Sequence, residues 1–378
     1  MKVAIVHDQL QEFGGAERVL VSLCSLYPDA DIYTSFYNPQ SLGIHASHIR
    51  KNKVKTSWAD KIWLLKKLYS PLRFITPLLW ESFDFTGYDL VISSSGSYMS
   101  KGIITRPETV HICYLHHPPR YLYYYETARE WQKYWPVRIY GHLINHKLRL
   151  WDFLSSQRVD FFVANSRDTK RRIEKFYRRD ATVIYPPVSI PMYSNPETWT
   201  MEHKSYYLTV SRLARAKHID ILIKAANRYG FHLKIVGSGR DEAYLKSLAG
   251  KTVEFLGGVN DKQLSTLYKN AKAYLFASVD DEFGIAPVEA LGHGLPVIAY
   301  KSGGLKETIA ENENGYLFDT LSAESLHESI QKIESLHEDQ YRAMCKRARE
   351  TSEQYSNDNF KKQIQQFVES KINHARTS

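Results

Sequence analysis

Cysteine is scarce: Cys24, Cys113 and Cys345 are scattered through 378 residues. An odd, dispersed set offers neither a disulfide framework nor a zinc-ligand cluster, and points to a reducing compartment. Long apolar runs are also missing, none reaching the roughly 18 residues of a membrane span. The opening MKVAIVHDQL reads as a strand from its second residue and lacks a signal-peptide layout. A cytoplasmic protein is expected, either free or peripheral on the inner face of the cell membrane. Internal repeats and low-complexity tracts are absent. Charge of one sign does not dominate either: 50 Lys and Arg stand against 41 Asp and Glu, a net +9. That excess suits an anionic partner, whether a phosphate ligand, an acidic membrane surface or nucleic acid.

What is present is alternation. KVAIV, YDLVIS, VHICYL and DFFVAN read as strands in the first half, and YYLTV, HLKIVG, TVEFLG, KAYLFAS and LPVIAY in the second. Helical spacing separates them, as in GAERVLVSLCSLY and IDILIKAANRYG. Strands alternating with helices imply an α/β protein with parallel sheets built from right-handed βαβ units. The proline-rich YPPVSIPMYSNPETW, 185–199, reads as a linker. Two doubly wound, Rossmann-like domains are therefore expected, 1–185 and 186–356. A terminal amphipathic helix, 357–378, is expected to pack back on the first domain.

Ligands of such sheets sit beyond the carboxyl ends of the strands, and the unusual residues collect there. Gly14 and Gly15 follow the first strand and open a helix, where backbone N–H groups can approach a phosphate or sugar. Read alone, the pair is equally a tight turn. His116 follows VHICYL; its imidazole can meet a sugar hydroxyl, although a lone histidine is more often structural. Arg212 and Lys217 flank the turn after YYLTV, a bidentate cation and a point cation suited to a diphosphate. The alternative is two solvated charges at a helix start. DDEFGIAPVEALGHGLPVI, 280–298, sets Asp280, Asp281 and Glu282 before Phe283-Gly284, with Glu289 following. Acids there favour a helix dipole, which accounts for a helix start but not for Glu289.

Together with ANS at 164–166, IVGSGRDEAYL, FLGGV and KSGGLKE, these motifs resemble the retaining family-4 glycosyltransferases of the GT-B fold. The likeness runs over nearly the whole chain and is greatest to bacterial mannosyltransferases of surface-polysaccharide assembly (O-antigen, capsule, exopolysaccharide). The resemblance implies two domains facing across a cleft. Its acid-x7-Glu pair falls on Asp281 and Glu289, Asp replacing the usual Glu, so Glu282 shares the first position as a candidate. The second acid would hold the ribose diol and the first the donor sugar. The implied catalytic residues are His116, Arg212, Lys217 and Asp281. The implied donor-binding residues add Gly14, Gly15, Val259, Glu282, Phe283, Gly284, Ile285 and Glu289. A carboxylate accepts from two hydroxyls, and a helix N-terminus favours a diphosphate. The implied reaction moves a sugar, mannose from GDP-mannose, to a hydroxyl of a glycan or polyprenyl-linked acceptor. The nucleotide sugar is a substrate, no cofactor is implied and no metal is required. DAD at 29–31 matches a metal-binding acid pair but is read as a loop.

Residues 50–80, RKNKVKTSWADKIWLLKKLYSPLRFITPLLW, carry eight Lys or Arg, one acid and three Trp. That composition suits an anionic membrane surface, with Lys51, Lys53, Lys55, Lys66 and Lys67 facing lipid, or equally an amphipathic surface helix. YLYYYETAREWQKYWPVRIYGHL is a second aromatic segment, expected to line the acceptor side. The same basic residues could serve single-stranded nucleic acid, although none is expected as a partner. A nucleotide-sugar epimerase or phosphorylase and a basic nucleic-acid-binding protein are the competing readings.

Overall fold

The computed structural model describes residues 1–43, 47, 49, 53–127, 134–192, 199–202 and 204–377, with side chains to 373. They form two units. The first comprises residues 1–125, 130–187 and 357–378, and the second residues 126–129 and 188–356. The break falls between 187 and 188, slightly beyond the expected one. Linker residues 193–198 lie outside the described residues.

In the first unit the strands are β1 Val3–His7, β2 Asp31–Thr34, β3 Val54–Thr56, β4 Leu90–Ser95, β5 Val110–Leu115, β6 Phe161–Ala164 and β7 Ala181–Val183. They pair in parallel in the order β3-β2-β1-β4-β5-β6-β7. Every residue of β1 and β4 is buried, as a parallel sheet covered on both faces requires. Helices α1 Gly15–Leu26, α2 Trp63–Leu68, α3 Thr76–Trp80, α4 Trp135–Gln157 and α5 Arg167–Tyr177 connect them. Helix α5 starts where Ser166 Oγ accepts the Thr169 N–H (3.1 Å) and stops at Arg178, φ +57°.

The second unit has β8 Tyr206–Val210, β9 Leu233–Val236, β10 Val253–Gly257, β11 Ala271–Phe276, β12 Val297–Tyr300 and β13 Gly315–Phe318, in the parallel order β10-β9-β8-β11-β12-β13. Its helices are α6 Ile219–Tyr229, α7 Glu242–Leu248, α8 Asp261–Asn270, α9 Ile285–Gly292, α10 Leu305–Thr308, α11 Ala323–Glu334 and α12 Glu338–Glu353. Both orders reverse beside the first strand of their unit, the doubly wound arrangement. The last helix, α13 Asn357–Thr377, belongs to the first unit. Phe360, Ile364 and Val368 recur at helical spacing on it and are buried among Ile5, Leu20 and Ile92. Full burial of such a side chain stabilises by about 1.5–3 kcal/mol.

Residues 53–80 are not one amphipathic helix. They form β3, a 3₁₀ turn at Trp58–Lys61, α2, a second turn at Arg73–Ile75 and α3. Pro71 lies outside these helices, and Pro77 sits in the first turn of α3, where a missing N–H is tolerated. No helix of the described residues is long and apolar enough to cross a membrane.

One core histidine should make the first unit acid-sensitive. His111 on β5 is fully buried, with Nε2 2.8 Å from Ser93 Oγ. Burial chiefly, and then the Lys101 charge, lower its pKa from 6.5 to about 3. The unfolded chain therefore binds a proton that the folded one refuses, and stability is lost as pH falls from 6.5 towards 3. A His111→Leu variant should lack this loss. Urea unfolding curves should diverge by about 1.4 kcal/mol per pH unit in that window; parallel pH profiles would remove His111 as the cause.

Candidate functional site

In the second unit the strand order reverses between β8 and β11, and the expected residues gather at the carboxyl ends of these strands. Arg212 is exposed, just after β8, and Lys217 closes a 3₁₀ turn at Arg215–Lys217 before α6. The Lys217 ammonium donates to the Asp281 carboxylate, and Ser278 Oγ donates to the same oxygen at 3.1 Å. Beneath them the Tyr274 hydroxyl donates to the Val210 carbonyl at 2.7 Å and accepts the Val210 N–H at 3.2 Å, locking β11 to β8. Burial chiefly raises the Tyr274 pKa, and the nearby Glu289 and Asp281 charges raise it further. The expected Arg212–Lys217 cation pair is thus built differently: Lys217 is shared with an acid.

The acid segment is folded as a tight turn. Asp280 adopts φ +52°, and its N–H donates to Ser302 Oγ at 2.8 Å. The Gly304 N–H donates to the Asp281 carbonyl at 2.8 Å. Gly303, at φ +55°, lies so close to that carbonyl that any Cβ would overlap it, which explains the paired glycines of KSGGLKE. Phe283 is buried with its ring 5.2 Å from Tyr355. Gly284, at φ +84°, is the N-cap of α9, which opens at Ile285. The first N–H groups of a helix have no intrahelical acceptor and can receive an anion. Glu289 lies one turn into α9 with only 7% of its surface exposed. Glu282 is partly buried beside Asp281, and Val259 packs between β10 and α8 against the apolar cluster around Leu208.

In the first unit the reversal lies between β1 and β4. Gly14 is the N-cap of α1, which opens at Gly15; its N–H is taken by Glu17 Oε2 (2.8 Å). The Glu17 carboxylate also faces His7 Nε2 at 3.4 Å, His7 Nδ1 lies 3.0 Å from Ser94 Oγ, and Ser94 Oγ lies 2.8 Å from His116 Nε2. A continuous polar chain therefore runs from the start of α1 to His116, through His7 and Ser94, both fully buried. Asp8 accepts the N–H groups of Gly96 (3.0 Å), Tyr98 (2.8 Å) and Ser100 (3.0 Å), fixing the loop after β4. His117 Nδ1 lies 2.9 Å from the Pro118 carbonyl.

Sequence reasoning missed His7, Asp8, Glu17, Ser94 and Ser278. A signal existed for two of them, because His7-Asp8 ends an otherwise apolar strand. Ser94 and Ser278 gain meaning only from the neighbours that the sheet order supplies. The DAD triplet runs from a turn into β2. Asp31 pairs with Lys55 (3.1 Å) and accepts from the Tyr88 hydroxyl. Of the lysines expected to face lipid, Lys55 is thus engaged at β2. Lys66 bonds Asp60 (2.7 Å) and the Tyr37 carbonyl (2.6 Å), and Lys53 bonds the Asp29 carbonyl (3.3 Å). Lys51, with Arg50 and Asn52, lies outside the described residues.

The family description "Glycosyltransferase Family 4" matches residues 13–190, and "Glycosyl transferases group 1" matches 196–351. The chain is 24% identical over 305 residues to the UDP-N-acetylglucosamine–peptide N-acetylglucosaminyltransferase GtfA subunit of Streptococcus pneumoniae, covering 76% of this chain and 56% of that one. It is 26% identical over 228 residues to the GDP-Man:Man(3)GlcNAc(2)-PP-Dol alpha-1,2-mannosyltransferase of Dictyostelium discoideum, covering 53% and 44%. The chain thus spans about half the length of these curated relatives. Among solved structures, Anabaena HepE in complex with UDP and glucose superposes with a TM-score of 0.70 at 20% identity, covering 98% of this chain and 100% of that one.

Proposed function

Because this chain is a family-4 glycosyltransferase of the GT-B fold, we propose that it moves mannose from GDP-mannose to a hydroxyl of a glycan or polyprenyl-linked acceptor, with retention at the anomeric carbon. The observation that carries the reading is the cluster at the β8/β11 reversal: Lys217, Asp281 and Ser278 in contact, with Glu289 buried on the adjacent helix. The choice of mannose is supported by the mannosyltransferase relative; the GtfA relative supports UDP-N-acetylglucosamine as the competing donor.

In this reading the Glu289 carboxylate accepts from the ribose diol, while the N-terminus of α9 and Arg212 hold the diphosphate. Asp281, held by Lys217 and Ser278, is oriented towards sugar hydroxyls rather than poised as a nucleophile. The C1–O bond to the β-phosphate breaks and the acceptor oxygen bonds C1 on the same face. Its proton passes to the departing phosphate oxygen. Lys217 and Arg212 stabilise the negative charge that develops there, without a metal. Full turnover in EDTA is part of the reading.

Thermal unfolding with GDP, GDP-mannose, UDP, UDP-glucose and UDP-N-acetylglucosamine tests the donor, since a ligand of the folded state raises Tm by mass action. GDP compounds should stabilise and UDP compounds should not; the reverse pattern would replace the base. In calorimetry, Glu289→Gln should weaken nucleotide-diphosphate binding about ten- to hundredfold, because a hydrogen bond to a charged group contributes about 1.5–3 kcal/mol. Unchanged affinity in the folded variant would take Glu289 out of the ribose site.

A further inference from the structure

The polar chain of the first unit has a direction that its chemistry fixes. It begins at a carboxylate, which accepts and has no proton to give. Glu17 Oε2 takes the Gly14 N–H at 2.8 Å, and Oε1 faces His7 Nε2 at 3.4 Å. A hydrogen bond at that second contact requires the proton on His7 Nε2, so a neutral His7 presents a bare Nδ1. The proton of the 3.0 Å contact between His7 Nδ1 and Ser94 is then the hydroxyl's, and Ser94 Oγ donates. With its proton committed, Ser94 Oγ accepts at the 2.8 Å contact with His116, whose Nε2 must carry the proton.

Glu17, His7 and Ser94 are all buried. A buried polar group with a mismatched partner loses its hydrogen bond without regaining one to water, so the order of protons along the chain is held by its members. The next imidazole is ordered the other way. His117 Nδ1 lies 2.9 Å from the Pro118 carbonyl, an acceptor, which places the His117 proton on Nδ1. Two neighbouring histidines after β5 are thus set in opposite tautomers.

We propose that Glu17, His7 and Ser94 are positioning residues that hold the His116 proton on Nε2, so that Nδ1 acts as a hydrogen-bond acceptor. Under the glycosyl-transfer reading, on which this half rests, Nδ1 accepts from a substrate hydroxyl. The proton order itself rests on residues of the first unit alone. Glu17→Gln is the decisive change, because the cap of α1 fixes how the new amide sits. The Gly14 N–H requires the amide oxygen in the place of Oε2, which turns the amide NH2 towards His7 Nε2. His7 then carries its proton on Nδ1 and donates to Ser94. Ser94 donates to His116 Nε2, and the His116 proton moves to Nδ1. One isosteric substitution on α1 therefore inverts a ring that it does not touch.

Nitrogen NMR of the full chain with isotope-labelled histidines decides the proton order at neutral pH, with no nucleotide sugar present. A protonated and a bare ring nitrogen resonate far apart, and the His116 signals are identified by their loss in His116→Gln. The wild type should show the proton on Nε2 of His116 and on Nδ1 of His117. Glu17→Gln should keep the wild-type Tm and move the His116 proton to Nδ1, with His117 unchanged. Ser94→Ala should leave His116 a mixture of both forms. In a transfer assay Glu17→Gln should lose turnover about tenfold or more at unchanged donor KM, as loss of a correctly protonated imidazole implies. A wild-type His116 protonated on Nδ1, or on both nitrogens, would overturn the proposal. So would a folded Glu17→Gln protein whose His116 tautomer is unchanged. An inverted ring with wild-type turnover would overturn the catalytic half. A wild type that transfers no sugar from any nucleotide donor would sink the donor reading instead, and the spectra would still decide the proton order.

Discussion

Turnover of Lys217→Ala at saturating donor should fall about 10²–10³-fold, the loss typical when one preorganised group stabilising developing charge is removed. The lysine sits where strand order reverses, a fixed point charge anchored by the Asp281 carboxylate and, through it, by Ser278. A point charge held in advance needs no reorganisation as the diphosphate departs, so its effect is greatest in the transition state. The Asp281 contact raises a specific rival explanation: the lysine could matter only by neutralising its neighbour, whose side chain is 13% exposed. A double-mutant cycle separates the two. If neutralisation is its whole role, Lys217→Ala will cost little further rate in an Asp281→Asn background. If Lys217 meets the leaving group, Lys217→Ala will lower the rate in that background about as much as in the wild type. Arg212→Ala should also lose turnover, and Arg212→Lys should rescue it only in part, because a lysine cannot reproduce bidentate phosphate contact. Near-normal turnover of either alanine variant would remove that residue from the chemistry.

Lys101→Met should destabilise the protein by about 3–5 kcal/mol, the usual cost of breaking a buried ion pair from one side. Lys101 lies just after β4 and is wholly buried, as is its partner Asp152 on α4. The ammonium donates to the Asp152 carboxylate, to the Asp152 carbonyl (3.2 Å) and to Ser155 Oγ (3.1 Å). The Tyr123 hydroxyl donates to the other carboxylate oxygen at 2.8 Å. Methionine matches the length of lysine but leaves a charged acid without its cation. Lys101→Met/Asp152→Leu removes both charges and should recover much of the loss, since well-packed apolar residues often replace a buried pair at little cost. Urea unfolding of the two variants measures this directly. A loss below about 1 kcal/mol for Lys101→Met would show that Asp152 finds another partner or takes up a proton.

Most strands were legible because a parallel sheet covered on both faces demands unbroken apolar runs, and KVAIV, VHICYL and KAYLFAS are such runs. The strands VKT, ATV and GYLF were not read. VKT and ATV are three-residue strands at the sheet edges, and GYLF is a four-residue edge strand. At that length no periodicity separates strand from loop. The paired glycines at 303 and 304 were quoted only as part of a motif, and their reason is a backbone approach to residue 281 that no linear pattern displays.

Residue patterns alone reach the α/β class and the helix start at Gly284; the acid pair Asp281 and Glu289 comes only from the family resemblance, through the spacing about Phe283-Gly284. The first two follow from local chemistry: residue volume and polarity along a strand, and the φ freedom of glycine. Tertiary structure alone decided that Lys217 meets Asp281, that His7 and Ser94 link Glu17 to His116, and that Lys101 is buried on Asp152. It also left Trp135, Leu143 and Leu154 of α4 exposed. These depend on which strands lie side by side and how each helix is rotated on its sheet. In a doubly wound fold, strands far apart in sequence become neighbours at the reversal of order, so residues 64 apart (Lys217 and Asp281) come into contact.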